Sequence, residues 1–348
     1  MKNRSWERGR LVPRVMTVVV VSAVSMGLMV GATACMLAQG DDAREAQPVT
    51  PAIIDGWKQE LTNWGRWGDD DQRGALNLIT ATKRRQAAAL VQDGVSVSLA
   101  READYTSNPD TEINIPGTGP YEQHMASPTL DWFALRYHGW AHTHIDSLAH
   151  GVDNGVSYNG YVDDDDAVMT QGHPRNAITV ADQGIFTRGV LMDIPRLKGV
   201  PYLEPGTRIY PADLEAWEQQ AGVTVSAGDA LFIRTGRWAR REAVGAWDAR
   251  SHSAGLDASV IPWLRERDVV ILAGESPQDA VPPGGELSGL PVHNFALVYL
   301  GVHLFDNVAL DDLADVAAER NRWEFLLTVA PLRMVGATGS PINPIATF

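Results

Sequence analysis

Apolar positions change their spacing along this chain, and each change marks a different kind of segment. An uncharged run from Val15 to Ala34 follows a basic start and ends in Gly31-Ala32-Thr33-Ala34-Cys35. That is the pattern of an export signal, and it is long enough to cross a bilayer uncleaved. The pattern then predicts a short helix from Trp57 to Trp64 and a structured loop over 63–80, where glycines and tryptophans flank the acid run Asp69 to Asp71. A helix is expected from Ala81 to Asp93, capped by Thr80 or Thr82 and stopped by Gly94, and Val95 to Ala100 alternates as a strand. Residues 103–130 are rich in Pro, Gly, Thr and Asn and read as a long loop, a candidate wall or lid. Residues 154–161 and the acid run Asp163 to Asp166 read as loop too.

Further on, short apolar runs alternate with helical spacing. Strands are predicted over 189–194, 229–236, 268–275 and 302–306, and helices over 211–221, 257–267 and 291–300. This alternation predicts an α/β fold with buried parallel or mixed strands. No repeat or second long apolar span interrupts it. The chain therefore divides into an export signal (1–34), a free or lipidated N-terminus and tether (35–52) and one folded domain (53–348).

Within this pattern, His138 to His150 reads H-G-W-A-H-T-H-I-D-S-L-A-H, four of the nine histidines and an aspartate in one short stretch. If 138–146 is a strand, His138, Trp140, His142, His144 and Asp146 share one face. Left without a metal or partners, such groups would cost on the order of 2 kcal/mol or more each on burial. Imidazoles plus a carboxylate, with no thiolate near, suit a divalent ion such as Zn²⁺ or Mn²⁺.

Composition narrows the alternatives. The formal charge is −14 over 348 residues and falls to −18 once the basic N-terminal segment is set aside, which excludes a nucleic-acid partner built on clustered Lys and Arg. Membrane contact is expected only through the signal or a lipid anchor. Cys35 is the sole cysteine, so no intrachain disulfide forms. Small residues ahead of it fit either lipidation of that cysteine or plain cleavage, and both place the folded part outside the cytoplasm, secreted or lipid-anchored at the outer face of a bacterial cytoplasmic membrane. No G-x-S-x-G elbow, dinucleotide fingerprint or P-loop occurs.

The ligand stretch resembles the H-x-G-T-H-x-D-x-P-x-H signature of the metal-dependent cyclase/amidohydrolase family that includes kynurenine formamidase and isatin hydrolase. Thr143, His144, Asp146 and His150 match it, whereas Trp140 fills the slot of the first histidine and Leu148 that of the proline. The opening R-W-G over 66–68 and the segments 188–193, 228–236 and 336–346 resemble the longer members of the family. The resemblance implies the swivelling β/β/α fold with a mixed central sheet, one or two divalent metal ions, a small-molecule substrate and a homo-oligomer. It assigns His144 and Asp146 as ligands and His150 as the catalytic histidine. His142 is expected to substitute for the missing ligand, with His138 second. The family's second ligand pair falls on His293 and Asp306, the latter in place of glutamate, with His303 as runner-up on that strand and Glu275 as a supporting cleft carboxylate. The implied activity is hydrolysis of an amide, lactam or ester carbonyl by an activated water. The alternatives are a metal-dependent cyclase or dehydratase, and an exported binding protein that has lost the metal.

Overall fold

The computed structural model describes residues 48–103 and 122–348. The expected export signal, most of the tether and part of the expected loop lie outside the described residues. The chain from Glu45 to Phe348 forms one compact unit.

Thirteen strands are described: β1 (Ser96–Ser98), β2 (Glu122–Ser127), β3 (Leu130–Ala134), β4 (His144–Asp146), β5 (Ile185–Asp193), β6 (Arg208–Ile209), β7 (Ala230–Arg234), β8 (Gly255–Leu256), β9 (Ile271–Gly274), β10 (His303–Asp306), β11 (Glu324–Val329), β12 (Gly339–Pro341) and β13 (Ile345–Thr347). Nine of them form one mixed sheet in the order β1-β13-β11-β5-β7-β9-β10-β4-β12. β5, β7, β9 and β10 run parallel, and antiparallel strands extend the sheet on both sides. This is the α/β architecture with a mixed central sheet that the sequence implies. The parallel strands carry continuous apolar runs, Val190 to Met192, Ala230 to Ile233 and Ile271 to Ala273, because both of their faces are covered.

Several elements differ from expectation. The first helix is Pro51–Glu60, begun by Thr50, whose side chain accepts from the Ile53 amide, with Pro51 in the first turn; the helix thus starts inside the expected tether. Residues 122–130, expected as loop, form β2 and the start of β3, a hairpin that leaves Met125, Leu130, Trp132 and Phe133 exposed. The acid run becomes the start of helix Asp165–Gln171, with the Asp164 side chain accepting from the Ala167 amide.

The largest departure bears on the site. The expected strand over 138–146 is cut to His144–Asp146, because Gly139 adopts φ 122 and the chain bends through 138–142. A side chain at this backbone angle is strained, so glycine at 139 permits the bend. The strict alternation that put His138 and His142 on one face therefore does not apply.

Candidate metal centre

Strand register sets the base of the site. β4 pairs antiparallel with β10, Asp306 opposite His144 and Leu304 opposite Asp146, so His144, Asp146 and Asp306 project from one face of the sheet. His303 and Phe305 take the other face. β12 covers the far side of β4 with Gly339 opposite Asp146; a Cβ at 339 would collide with the Ile145 carbonyl. From the C-terminal ends of these strands, His150 follows in a short 3₁₀ turn, Leu148–His150. His293 arrives on helix Pro291–Phe295, whose first amides are held by Asp279: Val292 N at 2.8 Å and His293 N at 2.9 Å from its two oxygens.

Asp146 is the centre. It is 1% exposed, and neither carboxylate oxygen accepts a hydrogen bond from the described residues. Four imidazoles converge on it instead. His138 Nδ1 lies 2.9 Å and His144 Nε2 3.4 Å from Oδ1; His293 Nε2 lies 3.6 Å and His150 Nε2 3.8 Å from Oδ2. Two sets of convergent ligand atoms result, His138-His144-Asp146 and Asp146-His150-His293, sharing Asp146. Asp306 Oδ2 stands 3.8 Å from His144 Nε2.

The outer nitrogens decide what the inner ones present. His144 Nδ1–H donates to the His142 carbonyl at 2.8 Å, and His293 Nδ1–H donates to Gln278 Oε1 at 3.1 Å. His138 Nε2 meets the Thr338 hydroxyl at 2.8 Å. In the neutral rings that a metal ion requires, this turns the Nε2 lone pairs of His144 and His293 toward a carboxylate that is itself electron-rich, while the Thr338 hydroxyl, able to donate or accept, suits either tautomer of His138. Lone pairs facing lone pairs repel unless a cation lies between them, and the fixing of a ligand imidazole by an outer acceptor is the usual support of a metal site. The residues present therefore fit a divalent ion.

Titration behaviour reflects the same deficit of positive charge. Burial opposes protonation of His144, yet the charges of Asp146 and Asp306 prevail and raise it to about 9. Burial and the Asp146 charge push Asp306 up to about 6. Burial and neighbouring imidazoles hold His150 and His293 down at about 4, against the pull of Asp146. Asp146 itself stays well below the usual carboxylate range because His150, His144 and His138 outweigh its desolvation. Among the described residues no Lys or Arg forms an ion pair with Asp146 or Asp306.

The structure thus brings together His144, Asp146, His150 and His293 with Asp306 beside them. His142 is placed differently from the expectation. It is buried, and its carbonyl steadies His144, but its ring belongs to neither ligand set. The bend at Gly139 delivers His138 to the place expected for His142, where its ring stacks on His150 with centroids 4.2 Å apart. Glu275 is a scaffold group outside both ligand sets: its Oε2 accepts from the Thr235, Gly236 and Arg237 amides and the Thr235 hydroxyl. His303 is fully buried on the opposite face, and neither ring nitrogen has a hydrogen-bond partner among the described residues. Gln278, Thr338 and Asn307 escaped the sequence reading. Thr338 lies within the resembling segment 336–346, and Asn307 directly follows the carboxylate strand, but nothing in their local pattern announces a contact made across the fold.

Comparison with known proteins identifies the family and the fold. The family model Cyclase matches residues 108–278. The crystal structure of a novel cyclase is 31% identical, covering 84% of this chain and 99% of its own, with a TM-score of 0.71. The chain belongs to the cyclase family. More distant solved structures share the fold: an isatin hydrolase bound to the product analogue thioisatinate, at 19% identity, 78% of this chain, 97% of its own and TM-score 0.51, and isatin hydrolase A from Ralstonia solanacearum, at 18% identity, 76% of this chain, 95% of its own and TM-score 0.51. No curated protein matches the chain.

Proposed function

We propose that the protein is a metal-dependent hydrolase acting on an amide, lactam or ester carbonyl of a small molecule. The observation that carries this reading is Asp146: a buried carboxylate with four imidazole nitrogens 2.9–3.8 Å from its oxygens and, among the described residues, no Lys or Arg ion pair. His138, His144 and Asp146 would hold one divalent ion, Zn²⁺ or Mn²⁺. Asp146 and His293 would contribute to a second, with Asp306 a further carboxylate beside His144. When bound, such an ion lowers the pKa of its water and polarises a carbonyl oxygen. His150 has its side chain about one-third exposed, the most open of the cluster, and is neutral at pH 7, so it can accept a proton at Nε2 and return it to the leaving group. Gln278 keeps His293 in the Nδ1–H tautomer and holds Asp306 Oδ1 at 2.8 Å. The hydrolysis named in the isatin hydrolase structures supports this reaction class. A panel of aryl formamides, lactams and lactones assayed with and without added metal tests it. Turnover that disappears on chelation, with ¹⁸O from labelled water entering the product, is expected; metal-dependent conversion without ¹⁸O would mean cyclisation or dehydration instead.

The N-terminal pattern supports an extracytoplasmic location, and radiolabelled palmitate on Cys35 would separate the lipid-anchored from the secreted form. The exposed apolar side chains of the β2–β3 hairpin support a homo-oligomer, which sedimentation tests.

A further inference from the structure

The bend that delivers His138 is held from outside. Asn307, fully buried and in the left-handed region at φ 56, donates from Nδ2 to the Gly139 carbonyl at 2.7 Å and to the His142 carbonyl at 3.1 Å. Its Oδ1 accepts from Arg237 Nη1 at 2.8 Å, while Arg237 Nη2 donates to the Trp140 carbonyl at 2.7 Å. The Asn307 carbonyl accepts from the Thr143 hydroxyl at 2.7 Å. One side chain and its guanidinium neighbour therefore grip three carbonyls within the four residues 139–142. These are the residues where the chain leaves the extended path of β4.

We propose that Asn307 is a positioning residue for His138: by holding the 139–142 bend it sets the reach of the His138 ring, and with it the affinity of the site for a divalent ion. The inference rests on the metal reading above. It follows from geometry. Gly139 allows many backbone angles and cannot by itself choose the one observed, whereas two hydrogen bonds from a single amide fix the separation of the Gly139 and His142 carbonyls. Asn307 adjoins Asp306 on the same strand exit, so the group that steers the His138 loop is tied to the strand that carries the opposing carboxylate.

A simple loss of stability would not single out His138, so the test is a double-mutant cycle on binding of Zn²⁺ alone, measured by competition with a chromophoric chelator. In the protein with Asn307 intact, His138→Ala is expected to weaken Zn²⁺ binding roughly 10–100-fold. Asn307→Gly, which tolerates the positive φ, should weaken it by a similar factor. Adding His138→Ala to Asn307→Gly should then cost less than about threefold, because the ring is already misplaced. Asn307→Asp is the second variant: it keeps the shape and the Arg237 contact but removes both donations, and the added effect of His138→Ala should again be small. Full multiplication of the two losses, or unchanged affinity in both Asn307 variants, overturns the inference while leaving the metal reading in place. Failure of the unaltered protein to bind Zn²⁺ overturns the metal reading itself, and this inference with it.

Discussion

At the scale of single residues, the site separates groups that hold from groups that act. His138→Ala and His144→Ala should both lower metal content to a small fraction of an equivalent at micromolar metal, whereas His142→Ala, which keeps the carbonyl under His144 Nδ1, should leave it near that of the unaltered protein. Elemental analysis of the three variants checks this ordering. His150→Ala should retain metal and lose about 10²–10⁴ in kcat, the range for removing a general acid–base group; loss of metal would make His150 a ligand of the second set. His303 supplies a pH prediction. Burial and the Arg73 charge hold it near 3, so it is neutral when folded at any pH above that. The unfolded chain binds this proton near 6.5, so the stability linked to His303 is intact above that pH and is lost progressively as pH falls toward 3. His303→Leu removes two buried nitrogens without hydrogen-bond partners among the described residues and should flatten acid unfolding across that window with metal content unchanged, as urea titrations at pH 7 and pH 5 would show. Of these residues, His144, Asp146, His150, His293 and Asp306 were legible because the motif spacing carries them. That the His138 ring, rather than that of His142, lies beside Asp146 was not legible, because it turns on one glycine angle and on contacts made well over a hundred residues away.

At the scale of elements, the helix Pro291–Phe295 illustrates how a short segment is made firm enough to present a ligand. Its α-helical part is about a turn and a half long before Ala296–Leu300 continues it as a π-helical turn to the expected end at Leu300, and Asp279 satisfies its first free amides with both carboxylate oxygens. Asp279→Ala should cost about 1–2 kcal/mol in thermal or urea unfolding of the metal-free protein and should weaken metal binding as well, since His293 then loses its frame. Asp279→Asn, which keeps one acceptor, should fall between. Element by element, the parallel core was readable from its apolar runs and the turns that separate them. The pairing of β4 with β10 and β12 was not, because three-residue strands carry no periodic signal of their own. Helix Asp165–Gln171 was hidden by an acid run that reads equally well as solvated loop; the Asp164 cap decides between them. The start of the first helix is ambiguous in sequence because Pro51 suits a polar tether and a first helical turn equally well, and the Thr50 cap decides for the helix.

At the scale of the whole molecule, the fold supplies a rigid parallel sheet and sets the ligands at its flank, on β4, β10 and the turns leaving them. Burial of two carboxylates, Asp146 and Asp306, in a cluster without a Lys or Arg ion pair among the described residues means that the metal-free protein holds buried negative charge which protonation of His144 offsets only in part, and which metal uptake would relieve. The folded protein should therefore gain thermal stability on metal binding, as any ligand of the native state provides, and lose it on chelation. The cyclase-family fold was legible from the order and spacing of its segments; the placement of Asp306 opposite His144 needed the register.

The most direct test is metal content by mass spectrometry of the protein purified without chelator, read together with its melting temperature before and after dialysis against a chelator. One or two equivalents of Zn or Mn per chain, with a melting temperature that falls on removal and recovers on re-addition, is the result expected from the Asp146 cluster. A chain that carries no metal, takes up none, and melts at the same temperature throughout would contradict the hydrolase reading and leave a metal-free binding protein on the cyclase fold.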